Sequence, residues 1–275
     1  HIDNRYKTNI LFCSFKGKRK LSAFLLNRNT GQDGLSWQDE QKYGGNDNIS
    51  LDVTDDGNIS FNWLGNSDDE PYVDPQNGYM TNVNSGLQYS NKWNDKYNFN
   101  LSPKYNSQDY TNHKTTFTQS QIGDSVLNVN SNEDSHVDRQ NFKLRGILDT
   151  KIDSFNSVKV TANANFYHTR CDEHSNSSTT GNYGTLKNTS DRQLNTNSDK
   201  SAISGNIIFK HKFKKARRTL SFTGDWYSLD NTGKTFLKSA NQAYLDGAPS
   251  GAQDLDQKKD YEQSTQTLSA GIVYT

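Results

Sequence analysis

The sequence predicts an all-β chain: an antiparallel up-and-down transmembrane β-barrel segment, incomplete as a barrel, with long hairpin-containing extracellular loops. Three observations predict it. Apolar and polar residues alternate with period two in segment after segment, which sends successive side chains to opposite faces of a strand. The alternating runs are about 10 to 13 residues long, nearer the 9 to 11 that cross a bilayer at a tilt than the 5 or 6 common in soluble sheets. Short turns and long polar connections also take turns along the chain, as in barrels whose tight turns face one side of the membrane and whose loops face the other.

Composition agrees with this reading and excludes several others. Of 275 residues, 31 are Lys or Arg and 31 are Asp or Glu, so the net charge is zero. Hydrophobic residues make up only 31%, thin for a chain that must bury an ordinary core. The 11% of aromatics, with 14 Tyr and 13 Phe, is wrong for a disordered tail and right for strands. No apolar run approaches the roughly 18 residues of a membrane helix. Cys13 and Cys171 lie far apart and belong to no paired motif, so they define neither a disulfide framework nor a zinc knuckle. The neutral balance gives no overall pull toward nucleic acid, and neither a Gly-rich phosphate loop nor a nucleophile elbow is present. His1 begins in mid-pattern and Tyr274-Thr275 ends inside an alternating run, so residues 1–275 read as a fragment forming a single partial barrel domain.

The elements follow in order. Ile10 to Phe15 and Leu21 to Leu26 flank a basic turn near residue 17. A long connection, 27–81, contains a small hairpin in which Ile49, Leu51 and Val53 meet Ile59, Phe61 and Trp63 across Asp55-Asp56-Gly57-Asn58. From Asn82 to Trp93, Val83, Leu87, Tyr89 and Trp93 share one face while Asn82, Asn84, Gln88, Ser90 and Lys92 share the other. After a turn near 95, Tyr97, Phe99, Leu101 and Tyr105 oppose Asn98, Asn100, Ser102 and Lys104. Pro103 removes a ladder donor from this run, which a bulge would accommodate. The second long loop, 107–138, holds a small hairpin around Ile122-Gly123-Asp124-Ser125. Phe142, Leu144, Leu148 and Ile152 then face away from Asn141, Lys143, Arg145, Asp149 and Lys151. Past a turn near 155, Val158, Val160, Ala162, Ala164 and Phe166 oppose Lys159, Thr161, Asn163 and Asn165. Loop 169–200 leads to Ile203, Ile207, Phe209 and Phe213, a basic turn near 215, and Leu220, Phe222 and Trp226 opposite Asp225. Loop 229–264 precedes a last strand with Leu268, Ala270, Ile272 and Tyr274 on one face.

Four stretches carry a resemblance: Leu25-Leu26-Asn27-Arg28-Asn29-Thr30-Gly31, Tyr89-Ser90-Asn91-Lys92-Trp93-Asn94-Asp95-Lys96, Phe142-Lys143-Leu144-Arg145-Gly146 and Phe209-Lys210-His211-Lys212-Phe213. They resemble barrel strands of outer-membrane proteins related to TonB-dependent receptors, in the subgroup with a carboxypeptidase-like regulatory domain, a plug and a large barrel. The resemblance implies a bacterial outer-membrane location with outer-membrane lipid around the wall. It also implies a plug domain and an energy-coupling protein as partners in the intact receptor, with a surface lipoprotein as a further partner, and solute recognition and uptake as the function. A complete barrel of this kind has about 22 strands, so roughly nine strands would be less than half of the wall.

Trp93 and Tyr97, beside a short turn, and Tyr105 and Trp226, toward the loops, suit the aromatic girdles of a membrane strand. Lys143, Arg145, Lys159 and Asp225 fall on the wet face and are expected to line the lumen. His168, Cys171 and His174 are the one cluster of metal-ligand types, at the mouth of a long loop where an exposed loop is the simpler reading. Asp68, Asp69, Glu70 and Asp74 could hold a hard cation through oxygen ligands, or simply be a solvated loop. An EF-hand over 52–63 is excluded, because its twelfth place is Trp63. The basic run Lys210, Lys212, Lys214, Lys215, Arg217 and Arg218 reads as a hydrated cap able to meet anionic head groups rather than as a nucleic-acid site. No convergent carboxylate pair or nucleophile set can be placed, so the expectation is a non-enzyme without cofactor or resident metal. The rival readings are a secreted soluble β-protein binding glycans through Trp37, Trp63 and Tyr72, and an outer-membrane adhesin or assembly factor without transport.

Overall fold

The computed structural model describes residues 5–29, 49–53, 59–63, 78–94, 96–215 and 217–275. Nine antiparallel strands form one up-and-down sheet: β1 (Lys7–Lys16), β2 (Arg19–Arg28), β5 (Gly78–Trp93), β6 (Tyr97–Ile122), β7 (Ser125–Lys151), β8 (Asn156–Thr180), β9 (Leu186–Lys212), β10 (Thr219–Leu245) and β11 (Ala248–Tyr274). A separate hairpin of β3 (Ile49–Val53) and β4 (Ile59–Trp63) lies between β2 and β5 in the chain, with Leu51 opposite Phe61. Each strand of the large sheet pairs with its neighbour in sequence, β5 following β2 across the insertion. β1 and β11 are the two edges, and the sheet is not closed among the described residues.

Register makes the face assignment explicit, because directly opposed residues in an antiparallel ladder point the same way. One row runs Tyr89, Leu101, Gly146, Ala162, Gly205, Trp226 and Leu268 across seven strands. The row beside it runs Phe99, Leu148, Val160, Ile207, Gly224 and Ala270, and the next aligns Val158, Phe209, Phe222 and Ile272. Small residues sit where large ones need room: the Trp226 indole packs 3.9 Å from where a Cβ of Gly205 would stand. On the opposite face Phe24 covers Gly86 so closely that an added Cβ would meet its ring at 2.5 Å.

Pro103 is accommodated on one side only. Its ladder to β7 continues through the Pro103 and Leu144 pair, whereas the β5 to β6 ladder is interrupted between the pairs Gly86 with Lys104 and Tyr89 with Leu101 and resumes in the same register, without the expected bulge. The missing donor is thus absorbed by a break in a single ladder.

The largest correction concerns the loops. Residues 107–138, 169–200 and 229–264 are strand along almost their whole length, so β6 to β11 run 25 to 27 residues instead of the expected 10 to 13. Three tight turns close these long arms. Gly123-Asp124 joins β6 to β7, with Gly123 at φ 61, and Asp246-Gly247 joins β10 to β11 with φ 50 and 80. A 3₁₀ turn, η1 (Asn182–Gly184), joins β8 to β9. Once such a turn sets register, each added pair satisfies backbone donors and acceptors, and alternating Thr, Ser, Val and Asn fit a solvated ladder. That gain overrides the turn-forming composition that suggested loops. Of the first connection, 78–81 belong to β5, and 30–48, 54–58 and 64–77 lie outside the described residues.

Candidate functional site

Two faces with different chemistry define the site. The odd-numbered positions of β6 between Tyr97 and Tyr105 and their partners form an apolar belt that runs to both sheet edges, ending in Ile10 and Phe12 on β1 and Leu268 and Ile272 on β11. This belt is exposed: Phe166 keeps 42% of its surface, Ile207 43% and Leu268 81%. Every extensive strand-to-strand contact among the described residues is between ladder neighbours, so no second sheet covers it. The opposite face is more buried although it is more polar. Arg28 and Asn82 are each 1% exposed there, and Asn84, Gln108 and Asn141 are also buried.

On that polar face Asn82 accepts from Asn84 at 2.9 Å and from Asn106 at 3.3 Å, and Asn106 also donates to Asn84 Oδ1. The row continues through Asn141, Tyr167 and Lys200, with the Lys200 ammonium 5.6 Å from the centre of the Tyr167 ring. Asn165 donates to Tyr167 Oη at 2.6 Å, and Tyr261 Oη donates to Ser198 at 2.9 Å. Asn82 Nδ2, Asn141 Oδ1 and Asn165 Oδ1 find no hydrogen-bond partner among the described residues, and buried amides carry a real cost unless something polar meets them.

Each residue singled out in the sequence can now be placed. Lys143, Arg145, Lys159 and Asp225 all point to the polar face, in register with Asn165, Asn163, Ile208 and Asn206. Asp225 accepts from Asn206 Nδ2 at 2.6 Å. Trp93, Tyr97, Tyr105 and Trp226 all lie on the apolar face. Trp93 is directly opposite Tyr97 and stacks on Phe99 at 6.1 Å. Tyr105, Phe142 and Phe166 form one row, the last two stacked at 6.4 Å. A shallow hollow of about 360 Å³ opens where this row meets His168, Asp199 and Asp230.

The His168, Cys171 and His174 cluster does not converge. These residues lie on β8, not in a loop, and strand alternation sends Cys171 to the polar face while both histidines stay on the other. No group of three metal-ligand types is present among the described residues. Asp68, Asp69, Glu70 and Asp74, with Trp37 and Tyr72, lie outside the described residues, and the Trp63 side chain is likewise not described.

Sequence reading missed a feature of the arms beyond the belt. Four of the six histidines meet an aspartate on a neighbouring strand of the same face: His113 with Asp134 at 2.5 Å, His136 with Asp109 at 2.9 Å, His168 with Asp199 at 2.7 Å and His174 with Asp191 at 3.1 Å. Continuing the alternation through the supposed loops would have revealed it, since all four histidines share the parity of the belt once register is kept. No family model matches the chain, and no curated protein matches it.

Proposed function

We propose that this chain is the wall and mouth of a TonB-dependent-receptor-like β-barrel in a bacterial outer membrane. Its apolar belt meets hydrocarbon, and its polar face lines a lumen that surrounds a plug in the intact protein. The long arms beyond the belt recognise a solute outside the cell, and uptake is driven through an energy-coupling protein; the chain is a receptor wall, not an enzyme. The observation that carries this reading is the inversion of burial: apart from Leu26 and Met80, buried on the polar face, the large apolar side chains stay at least partly exposed while amides and an arginine are buried. In water that arrangement forfeits roughly 1.5 to 3 kcal/mol for each Leu, Ile, Val or Phe left unburied, whereas in lipid it is the stable one. The amides without protein partners suit a wet, occupied lumen. Strand pairing that breaks within the belt only beside Pro103 among the described residues fits too, because hydrocarbon offers backbone groups no alternative partner.

Membrane fractionation tests the proposal. The chain should stay with membranes through an alkaline carbonate wash and be released only by detergent. Recovery in the wash would refute a membrane wall.

A further inference from the structure

The up-and-down topology brings four separate turns to one end of the sheet, and those turns share a charge. Lys16, Lys18, Arg19 and Lys20 surround the turn between β1 and β2, Lys92 and Lys96 that between β5 and β6, and Lys151 begins that between β7 and β8. Six more, from Lys210 to Arg218, surround the turn between β9 and β10. Thirteen of the chain's 31 lysines and arginines thus fall within segments 16–20, 92–96, 151–155 and 210–218, against two acids, Asp95 and Asp153. The arms at the other end, 107–138, 169–200 and 229–264, hold fifteen Asp and Glu against nine Lys and Arg. A neutral chain is therefore strongly polarised along its strands, with the apolar belt between the two ends.

The basic end is continuous with an aromatic rim. Trp93, Tyr97, Phe213 and Tyr274 stand next to these turns on the belt face, and Phe213 meets Tyr274 edge-on at 5.8 Å. Lys214, Lys215, Arg217 and Arg218 are exposed. Rings at the hydrocarbon boundary with cations just outside it match the layering of an anionic bilayer surface, where each Lys or Arg near the head groups adds to attraction within a Debye length.

We propose that the four short turns form a basic collar that binds the phosphate head groups of anionic phospholipids in the adjoining leaflet. This rests on the membrane reading above and adds a lipid class to it. Several dispersed cations suit a fluid layer of phosphates better than a single bound anion, because the charge is spread over four separate turns.

The full chain, reconstituted in phosphatidylcholine vesicles, tests this with trace spin-labelled phosphatidylglycerol or phosphatidylcholine, reading the fraction of label that the protein holds motionally restricted. The labelled phosphatidylglycerol should be enriched severalfold over phosphatidylcholine, with the enrichment shrinking as sodium chloride is raised. It should fall sharply in the variant K214Q/K215Q/R217Q/R218Q and partly in K18Q/R19Q, both of which change exposed side chains at the short turns. Restricted lipid with no head-group preference, or a preference untouched by both variants, would overturn the collar while leaving the membrane reading intact. Absence of restricted lipid of either kind would overturn both.

Discussion

A single carboxylate shows how the short turns are held. Asp153 Oδ1 accepts from the backbone N–H groups of Phe155 and Asn156 at 2.7 Å each, and its Oδ2 accepts from Asn156 Nδ2 at 2.7 Å. The Asn156 side-chain bond first, and the Phe155 backbone bond after it, hold this carboxyl below the usual carboxylate range. A lowered folded-state value means the bonds help the turn at every pH above the ordinary range and are lost as pH falls through the lowered value. Amide exchange at Phe155 and Asn156 should therefore quicken under acid in the parent chain. In Asp153→Ala it should be fast already at neutral pH, with no added acid dependence; an unchanged acid response would show that another group holds the turn. At the belt, Leu144 and Lys143 are neighbours on opposite faces. Leu144→Arg should cost roughly 2 to 4 kcal/mol near the bilayer midplane, and Lys143→Ala much less, as read from denaturant midpoints in a lipid refolding assay. Equal costs would contradict the face assignment.

Among the elements, the arms extend well beyond the apolar belt yet keep a fixed form. Residues 107–122 of β6 extend about 50 Å along the strand, and the tips are tied to one another. Asn182, in the turn between β8 and β9, accepts from the Val126 backbone N–H at 2.7 Å and donates to the Asp124 carbonyl at 3.1 Å. Asn182→Ala should release the β6 to β7 tip from the β8 to β9 tip, seen as faster amide exchange at Val126 with no change in the belt strands; unaltered protection at Val126 would mean the tips are held otherwise. The belt portions of the strands were legible in the sequence, because alternation survives wherever one face must be apolar. Ile147 and Ile208 interrupt the polar face, yet the pattern around them is strong enough to keep register. Apart from the hairpin read around Ile122-Gly123-Asp124-Ser125, which the structure bears out as the β6 to β7 tip, the arms were not legible as strands, because both of their faces are polar and period two loses its contrast there. Asp246-Gly247 was the one overlooked cue, a turn pair whose positive φ values suit a two-residue hairpin. His168, Cys171 and His174 show the cost of that gap. Their spacing resembles a ligand set only if the backbone is free to turn.

For the whole molecule, the organising fact is a sheet whose oily face is exposed and whose wet face is the more buried of the two. The belt continues undiminished to β1 and β11, edges that hydrocarbon would not tolerate unpaired, so the reading requires further strands to meet them in the working barrel. Charge is polarised along the strands, basic at the short turns and acidic on the arms, and on the proposed reading this polarity gives the wall an orientation across the membrane. The central claim is that the belt meets acyl chains, and its aromatic residues can report on that directly. Single-tryptophan chains retaining Trp93 or Trp226 should be quenched by phospholipids brominated on their acyl chains and shielded from aqueous iodide. Quenching by iodide with no effect of the brominated lipids, at both positions, would contradict the account.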